Sequence, residues 1–346
     1  MTSIEKSRQS VKFAVIGLGG QGTGLVSLAL NEGHQLLGAV DIGDKVGKQI
    51  AEFVDNPRTP DALVYESIDD LIDDVGAPDV VLIAASIPLE EEVNISEPLL
   101  AAGINVITLE ADLFEPLGAA AERLDAAAKA GGATILATGI QDIWWLHLPA
   151  LGAAANSRIE RIEFHDIGDF TDLPPESGTY EAGIGLGKAD FAVWAKPHLE
   201  NPPVQGAPLR ELARMLGFTP GETTHRITPI VRDTPVLWPS AERELAPGTA
   251  LGALFEVEFP TEEGPVFSGT LRFSILDEDE RDNGNGSVNS VLIRGDVEVR
   301  MVFPSFATLH HVQFSPVRRI PDVLAAAPGL IRAADLPAPR YSHPGD

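Results

Sequence analysis

Cysteine is absent from this chain of 346 residues, which excludes disulfides, thiol catalysis and cysteine-ligated metal sites. Basic residues are few, because 25 Lys and Arg stand against 51 Asp and Glu, and the net charge is −26. Such a surface repels phosphate backbones and anionic lipids, so the sequence predicts neither a nucleic-acid partner nor a membrane partner. No set of histidines and carboxylates has the spacing of metal ligands, and no metal site is predicted.

Long apolar runs are also missing. The longest, Val80 to Ile87, is far shorter than the roughly 20 residues that a membrane-spanning helix needs. The N-terminal sequence MTSIEKSRQS is polar and lacks the apolar centre of a signal peptide. Together these absences predict a cytoplasmic protein.

Apolar residues make up 44% of the chain, and its length predicts two domains at roughly 150 residues each. Over residues 11–139, short apolar segments alternate with helical patterns, which is typical of a parallel α/β sheet. We therefore predict a Rossmann-type doubly wound sheet in a dinucleotide-binding domain of residues 1–140. The predicted strands are Lys12–Ile16, Gln35–Val40, Leu63–Tyr65, Val80–Ala84, Asn105–Thr108 and Thr134–Ala137. A helix is predicted over Pro116–Ala130, with Gly131 as its end.

After about residue 155 the apolar residues recur with period two, as in Phe255, Val257 and Phe259 between charged neighbours. This alternation predicts a mainly antiparallel sheet with one covered face, and hence an α+β domain for substrate binding and dimerisation at residues 141–305. Residues 172–188 and 196–208 are rich in proline and glycine and are predicted to be long loops. A third segment, residues 306–346, is predicted to be a C-terminal helix and tail.

The first strand leads into the sequence Gly17-Leu18-Gly19-Gly20-Gln21-Gly22, and a helix is predicted from about Thr23. This is a G-x-G-x-x-G motif between a strand and a helix, the arrangement that binds dinucleotides. Gly17 permits the tight turn, Gly19 lets the backbone approach a pyrophosphate, and Gly22 lets the helix pack closely on the strand. The helix N-terminus would then face the phosphates.

Asp41 ends the second strand, 19 residues after Gly22, where an acid is expected to bind the adenosine ribose hydroxyls. An acid there repels a 2′-phosphate and slightly favours NAD. Lys45 and Lys48 are near enough in sequence to offset that repulsion, although they also fit a solvated helix face. NAD and NADP therefore both stay open as the cofactor.

Other candidate cofactor-binding residues end neighbouring strands of the sheet. The small residues Ala84, Ala85 and Ser86 lie at the end of the fourth strand, where a nicotinamide ribose would pass, and Thr138 ends the sixth.

Glu110 directly follows the fifth strand and is the candidate catalytic residue. Partial burial at that edge would raise its pKa and suit it to proton transfer near neutral pH, whereas the alternative is a solvated loop carboxylate. Trp144 and Trp145 follow the sixth strand as a candidate apolar wall, although at least one of them fits a simple core role equally well. The other candidate pocket residues are Gln141, His147 and Tyr180.

Four stretches of the sequence resemble the dihydrodipicolinate-reductase-like family that includes 2,4-diaminopentanoate dehydrogenase and the native amine dehydrogenases. They are GLGGQG, AGINVITLEADLFEP, AKAGGATILATGIQDIWW and IPDVLAAAPGLIRAADLPAPR. The resemblance implies that Glu110 handles the amine chemistry, that the C-terminal helix returns to the nucleotide domain, and that the protein is a homodimer. Many members continue Thr-Gly with Asn-Pro-Gly-Phe, whereas this chain has Gln141-Asp142-Ile143-Trp144, which looks more like the amine dehydrogenase branch with its apolar pockets.

The resemblance implies an NAD(P)-dependent amine dehydrogenase that reductively aminates small aldehydes and ketones with ammonia, or deaminates amines in reverse. Other dehydrogenases on the same scaffold stay open as alternatives, namely diamino-acid, sugar-type and dihydrodipicolinate-type enzymes, as does a nucleotide-sensing regulator without turnover. A sugar-type enzyme should carry Glu-Lys-Pro after the fifth strand, but here the run is Leu109-Glu110-Ala111. A dihydrodipicolinate reductase should carry a His-His pair with a nearby Lys at the entry to its substrate domain, and the sequence has none there.

Overall fold

The computed structural model describes residues 10–200, 204–276, 280–281, 288–303 and 308–340. The chain divides into two units. Unit 1 comprises Met1–Ile143 and Leu309–Asp346, and unit 2 comprises Trp144–Thr308. Within the described ranges, no helix has the length and apolar character needed to cross a bilayer.

Unit 1 is built on a seven-stranded sheet whose neighbouring strands all run parallel. Its strands are β1 (Lys12–Ile16), β2 (Gln35–Val40), β3 (Val64–Tyr65), β4 (Val80–Ile83), β5 (Asn105–Thr108), β6 (Thr134–Ala137) and β15 (Gly329–Ile331). The order is β15-β6-β5-β4-β1-β2-β3. From β1 the chain adds β2 and β3 on one side of the sheet and then β4, β5 and β6 on the other, so the order of addition reverses between β1 and β4. Ligands of such sheets bind at the carboxyl ends of the strands beside that reversal. The predicted doubly wound parallel sheet is confirmed.

Helices follow most strands of this sheet, and β4 and β6 are buried along their whole length. The helices are α1 (Gly20–Asn31), α2 (Ile68–Val75), α3 (Leu89–Ala101), α4 (Gly118–Gly131), α5 (Ile140–Asp142), α10 (Thr308–Arg318) and α11 (Ile320–Ala325). Helix α1 begins at Gly20 rather than at Thr23, because the extended backbone of Gly19 forms its N-cap. Helix α4 includes the predicted stop, Gly131, because it is Gly132 that takes the left-handed conformation at the C-cap.

Unit 2 contains a six-stranded sheet of order β14-β13-β7-β12-β11-β8. Strands β7 and β12 pair in parallel and the other neighbours are antiparallel, so the mainly antiparallel sheet predicted for this part of the chain is confirmed. Two short strands, β9 and β10, pair separately. The strands are β7 (Ile159–Asp169), β8 (Thr224–Ile230), β9 (Val236–Trp238), β10 (Arg243–Leu245), β11 (Gly252–Pro260), β12 (Val266–Ser274), β13 (Val288–Gly295) and β14 (Val299–Phe303).

The predicted loops at residues 172–188 and 196–208 are wrong, because helices occupy much of this region. Unit 2 contains α6 (Leu148–Ala153), α7 (Pro175–Ala182), α8 (Lys188–His198) and α9 (Gly206–Met215). Several of the prolines and glycines lie at the ends of these helices. Pro175 is the first residue of α7, where its missing N–H costs nothing, and Gly183 ends the helix in a left-handed conformation.

Candidate active site

The glycine loop between β1 and α1 is closed on one side and open on the other. A Cβ added at Gly17 (φ +90°) would lie 2.8 Å from the Ala85 backbone nitrogen, and one at Gly22 would lie 1.7 Å from the Gly17 carbonyl oxygen. Both positions therefore require glycine for internal packing. In contrast, a Cβ added at Gly19 or Gly20 would meet nothing within 4 Å. The open side of the loop is thus the side that a pyrophosphate could approach.

The start of α1 offers further features that fit an anionic ligand. Its first turn carries no acidic residue and its N-cap, Gly19, provides no side chain to bind the first N–H groups. Gln21, the second residue of α1, has a buried Oε1 atom without a hydrogen-bond partner among the described residues. From the C-terminal segment, Gln313 reaches the same turn and donates from Nε2 to the Gly20 carbonyl (3.2 Å).

Asp41, at the end of β2, lies against this loop. Its carboxylate accepts hydrogen bonds from the backbone N–H groups of Leu18 and Ile42, both at 2.7 Å. The Lys45 ammonium donates to the same carboxylate at 2.9 Å and to the Leu18 carbonyl at 3.0 Å. Burial acts to raise the pKa of Asp41, but the hydrogen bonds from Lys45 and the backbone outweigh it and hold the pKa below its ordinary value. Lys45 is therefore paired with Asp41 and is not part of a solvated helix face.

The other candidate cofactor residues lie at the carboxyl edge of the sheet. The Ala84 N–H donates to the Ile16 carbonyl (2.8 Å), and Ala85 contacts the Gly17 turn, with Ser86 following. Thr138 is buried, and its hydroxyl donates to the Asp142 carboxylate at 2.9 Å. The Thr138 side chain thus has an internal partner.

Glu110 is half-buried at the end of β5. Its backbone N–H donates to the Thr108 hydroxyl (2.9 Å), and its carboxylate accepts a hydrogen bond from the Asp112 N–H (3.0 Å). Burial raises its pKa and the Asp112 charge adds to that effect, while the Asp112 N–H acts in the opposite direction. These surroundings favour the predicted proton-transfer group over the alternative of a solvated loop carboxylate.

A second acid beside Glu110 was not predicted from the sequence. Glu92 lies in the first turn of α3 and is 1% exposed, and its carboxylate accepts a hydrogen bond from the Thr108 hydroxyl. Burial raises the pKa of Glu92 to about 7, with the Glu110 charge contributing and the Thr108 hydrogen bond opposing. The signal was present in the sequence, because Glu92, Ser96 and Leu99 recur at helical spacing on the buried face of α3.

A buried ion pair joins the C-terminal segment to the end of β6. Arg319 and Asp142 are both 0% exposed and form two hydrogen bonds, at 2.7 and 2.8 Å. The same guanidinium donates to Asp322 and to the Pro337 carbonyl, both at 2.7 Å. This pair holds the segment that carries α10 and α11 against the sheet edge of unit 1.

The five candidate pocket residues have very different surroundings. Gln141 is buried in unit 1, with its Oε1 atom against Gly139, which also adjoins Leu109. In unit 2, His147 is buried, and Trp144 packs edge-on against Phe303 with ring centroids 4.9 Å apart. Trp144 belongs to a π-helical turn (Ile143–His147), a feature that is frequent at functional sites.

Trp145 is buried in unit 2 beside Asp166. Its indole N–H lies near the carboxylate, outside the geometry of a regular hydrogen bond, whereas Gln205 and Asn289 both donate to that carboxylate. Burial raises the pKa of Asp166 to about 8. Trp145 therefore has the core surroundings that the sequence left open as an alternative.

Tyr180 does not fit its predicted role. Its side chain, on α7, is 78% exposed, and a ring so open to solvent cannot exclude water from a pocket of the single chain. Its backbone carbonyl accepts a hydrogen bond from the Trp194 indole at 2.8 Å, so the residue contributes to unit 2 through its main chain. The sequence pattern gave an aromatic residue in a proline-rich segment, but not the face of the helix on which it lies.

No protein-family model matches the sequence, and no curated protein matches it. Among solved structures, the chain is similar to an amine dehydrogenase from Mycobacterium smegmatis, with 26% identity and a TM-score of 0.84 over 97% of this chain and 98% of the other. It shares the fold of myo-inositol 2-dehydrogenase from Lactobacillus plantarum (12% identity, TM-score 0.55, 91% and 88% covered). It also shares the fold of GenD2 from gentamicin A biosynthesis in complex with NAD (16% identity, TM-score 0.54, 92% and 87% covered). The first likeness confirms the resemblance to amine dehydrogenases predicted from the sequence.

Proposed function

We propose that this protein is an NAD(P)-dependent amine dehydrogenase, an oxidoreductase that forms amines from small aldehydes or ketones and ammonia and deaminates them in reverse. The observation that carries the proposal is the half-buried Glu110 at the carboxyl end of β5, in a chain that is similar to an amine dehydrogenase over nearly its whole length. The overall reaction joins a carbonyl compound, ammonia, a hydride and a proton to give the amine and water.

The residues of the glycine loop fit a dinucleotide. Gly19 and Gly20 leave the pyrophosphate side open, the N-terminus of α1 supplies unpaired N–H groups, and Asp41 lies beside the loop for the ribose. Ala84, Ala85 and Ser86 would border the nicotinamide ribose. When bound, the nicotinamide supplies or accepts the hydride.

Glu110 has two tasks in this reaction. As a carboxylate it accepts a proton from ammonium, which releases the neutral ammonia that attacks the carbonyl carbon. When the hydroxyl of the carbinolamine leaves, Glu110 gives this proton to the departing oxygen, which leaves as water. The carboxylate is then negative again and favours the cationic iminium, because a charge in a half-buried site is screened less than one in solvent. A pKa raised by burial keeps the group able to give the proton back near neutral pH.

The proposal is tested by measuring NADH and NADPH oxidation with a panel of short aldehydes and ketones, with and without ammonium. We expect oxidation that depends on ammonium. Oxidation without ammonium would instead indicate an alcohol or sugar dehydrogenase. If the protein binds NADH but oxidises it with no carbonyl compound under either condition, a nucleotide-sensing regulator becomes the better interpretation.

Asp41 gives a prediction about the choice between NAD, which we propose is slightly favoured, and NADP. Asp41→Ala should weaken NADH binding by about 10-fold or more, because hydrogen bonds to a charged group contribute roughly 1.5–3 kcal/mol each. It should also improve NADPH binding relative to NADH, because it removes a negative charge and frees the Lys45 ammonium. The measurement is the ratio of the two dissociation constants, obtained by fluorescence titration.

Asp44→Ala is the matched control, since Asp44 is 93% exposed and pairs with Lys48 at 3.6 Å. It removes one negative charge from the same turn and should leave the ratio unchanged. If Asp41→Ala also leaves the ratio unchanged, another group holds the ribose.

Other proposals rest on the sequence and its resemblance. They are a cytoplasmic homodimer, the domain boundaries 1–140, 141–305 and 306–346, and pocket roles for Gln141, Trp144, Trp145 and His147. Thr138 stays a proposed cofactor neighbour through its backbone, since its hydroxyl is bonded to Asp142.

A further inference from the structure

One hydroxyl group in unit 1 is hydrogen-bonded to two acidic residues, to the side chain of one and to the backbone of the other. The Thr108 hydroxyl, at the end of β5, donates to Glu92 from α3, and its oxygen accepts the backbone N–H of Glu110 at 2.9 Å. Thr108 and Glu92 are both buried, and Glu110 is half-buried. The bridge therefore runs from a buried carboxylate to the backbone of the proposed catalytic residue.

Glu92 is unusual because no cation neutralises it. The neighbouring basic residue on α4, Arg123, is 38% exposed and binds Glu90 and Glu97 on the outer side of α3. Within the described part of the chain, no ion pair involves Glu92, and Glu110 is the charged group whose field acts on it. An unpaired carboxylate at this depth is costly, so the group is expected to hold a proton for part of the accessible pH range.

We propose that Glu92 is a positioning residue that stores a proton next to Glu110 and, through the Thr108 hydroxyl, sets the pH range in which Glu110 works. The proposal rests on the proposed role of Glu110 in amine chemistry. It assigns a function to a buried acid that the reaction itself does not use.

The coupling follows from the contacts. When Glu92 is ionised, the Thr108 hydroxyl donates to it; when Glu92 is protonated, its own O–H can donate to the Thr108 oxygen instead. Two neighbouring carboxylates also disfavour each other's charge, so that a proton on Glu92 makes the ionised form of Glu110 easier to maintain. Burial places the pKa of Glu92 at about 7, within the range where such an exchange occurs.

The first experiment does not depend on turnover. The infrared C=O band of protonated carboxyl groups is followed from pH 5 to pH 9 in the full-length protein, and the spectrum of Glu92→Gln is subtracted. Among the described residues, Asp166 is another buried acid with a raised pKa, and the subtraction separates Glu92 from it. We expect a difference band that disappears as the pH rises through neutrality. If the wild type and Glu92→Gln have the same pH-dependent bands, Glu92 does not exchange a proton and the proposal is overturned.

Two substitutions at Thr108 then test the bridge. Thr108→Val keeps the shape but removes the hydroxyl, and should move the Glu92 midpoint to higher pH because the hydrogen bond favours the ionised form. Thr108→Ser keeps the hydroxyl and should titrate like the wild type. Glu110→Gln should move the midpoint to lower pH, since it removes the repelling charge. Equal midpoints in all three variants would overturn the coupling, even where amine turnover is found.

A kinetic experiment measures the pH profile of kcat/KM for reductive amination in the wild type and in Glu92→Gln. Glu92→Gln is neutral at every pH, so kcat/KM should lose the part of its pH dependence that falls near neutrality, where Glu92 ionises in the wild type. A change in rate that leaves the shape of the pH profile unaltered would indicate a merely structural role and contradict the proposal. If no carbonyl compound is aminated, the proposed function fails, yet the infrared titrations still decide whether Glu92 and Glu110 are coupled.

Discussion

Replacing Glu110 by Gln is expected to lower the turnover of amine formation by about 10²–10⁴-fold, the usual contribution of a positioned acid–base group. The amide is nearly the same size and can still accept the Asp112 N–H, so the local backbone should keep its geometry. What it lacks is the ability to take a proton and the negative charge that favours the iminium. The measurement is kcat at saturating ammonium and carbonyl compound, together with the dissociation constant of NADH, which should stay unchanged.

Asp112→Asn provides the matched control for this prediction. Asp112 is an exposed acid two residues along the chain, and the change likewise replaces a carboxylate by its amide without altering the N–H that binds Glu110. We expect a rate within a few-fold of the wild type. If Glu110→Gln keeps nearly the wild-type rate, Glu110 is not part of the chemistry. If it loses NADH binding as well, Glu110 serves the cofactor site or the fold instead.

The strands of unit 1 could be predicted from the sequence because their signal is local. A strand covered on both faces is apolar throughout, as in Val80–Ile83, and this pattern needs no knowledge of its neighbours. The strand that was missed, Gly329–Ile331, has three residues, too few to show any periodicity, and exists because it pairs with β6. The helices of unit 2 were missed for another reason, since proline and glycine at helix ends look the same in sequence as proline and glycine in loops.

In the candidate site too, residues in short local motifs could be predicted, whereas contacts between distant parts of the chain could not. The glycine loop, Asp41 and Glu110 could be proposed as site residues because each follows a strand in a short motif. Helical spacing on α3 marks Glu92 as an inward-facing acid, but its hydrogen bond from Thr108 could not be predicted, because the packing of α3 on β5 is a contact that the local sequence does not encode. The pair of Asp142 and Arg319 joins residues that are 177 positions apart.

That buried pair gives the last prediction. Arg319→Ala should lower the free energy of unfolding of unit 1 by about 3–5 kcal/mol, because it leaves the Asp142 carboxylate buried without a cation. The measurement is urea unfolding, followed both by tryptophan fluorescence and by far-UV circular dichroism. All four tryptophans of the chain (144, 145, 194 and 238) belong to unit 2, so their fluorescence reports unit 2, whereas far-UV circular dichroism reports both units. The variant should show a circular dichroism transition at lower urea than the fluorescence transition.

Arg332→Ala is the control, because Arg332 and Asp335 also form a two-bond pair in unit 1 but are 39% and 58% exposed. Solvent screens such a pair, and its loss should cost about 0–1 kcal/mol. The double variant Asp142→Leu with Arg319→Met removes both buried charges and should recover much of the stability that Arg319→Ala loses. Equal costs for Arg319→Ala and Arg332→Ala would mean that the buried pair does not hold unit 1 together.

The same variants can be compared in NADH binding, because α10 places Gln313 against Gly20 of the glycine loop. If Arg319→Ala loosens the C-terminal segment, it should weaken NADH binding as well, whereas Arg332→Ala should not.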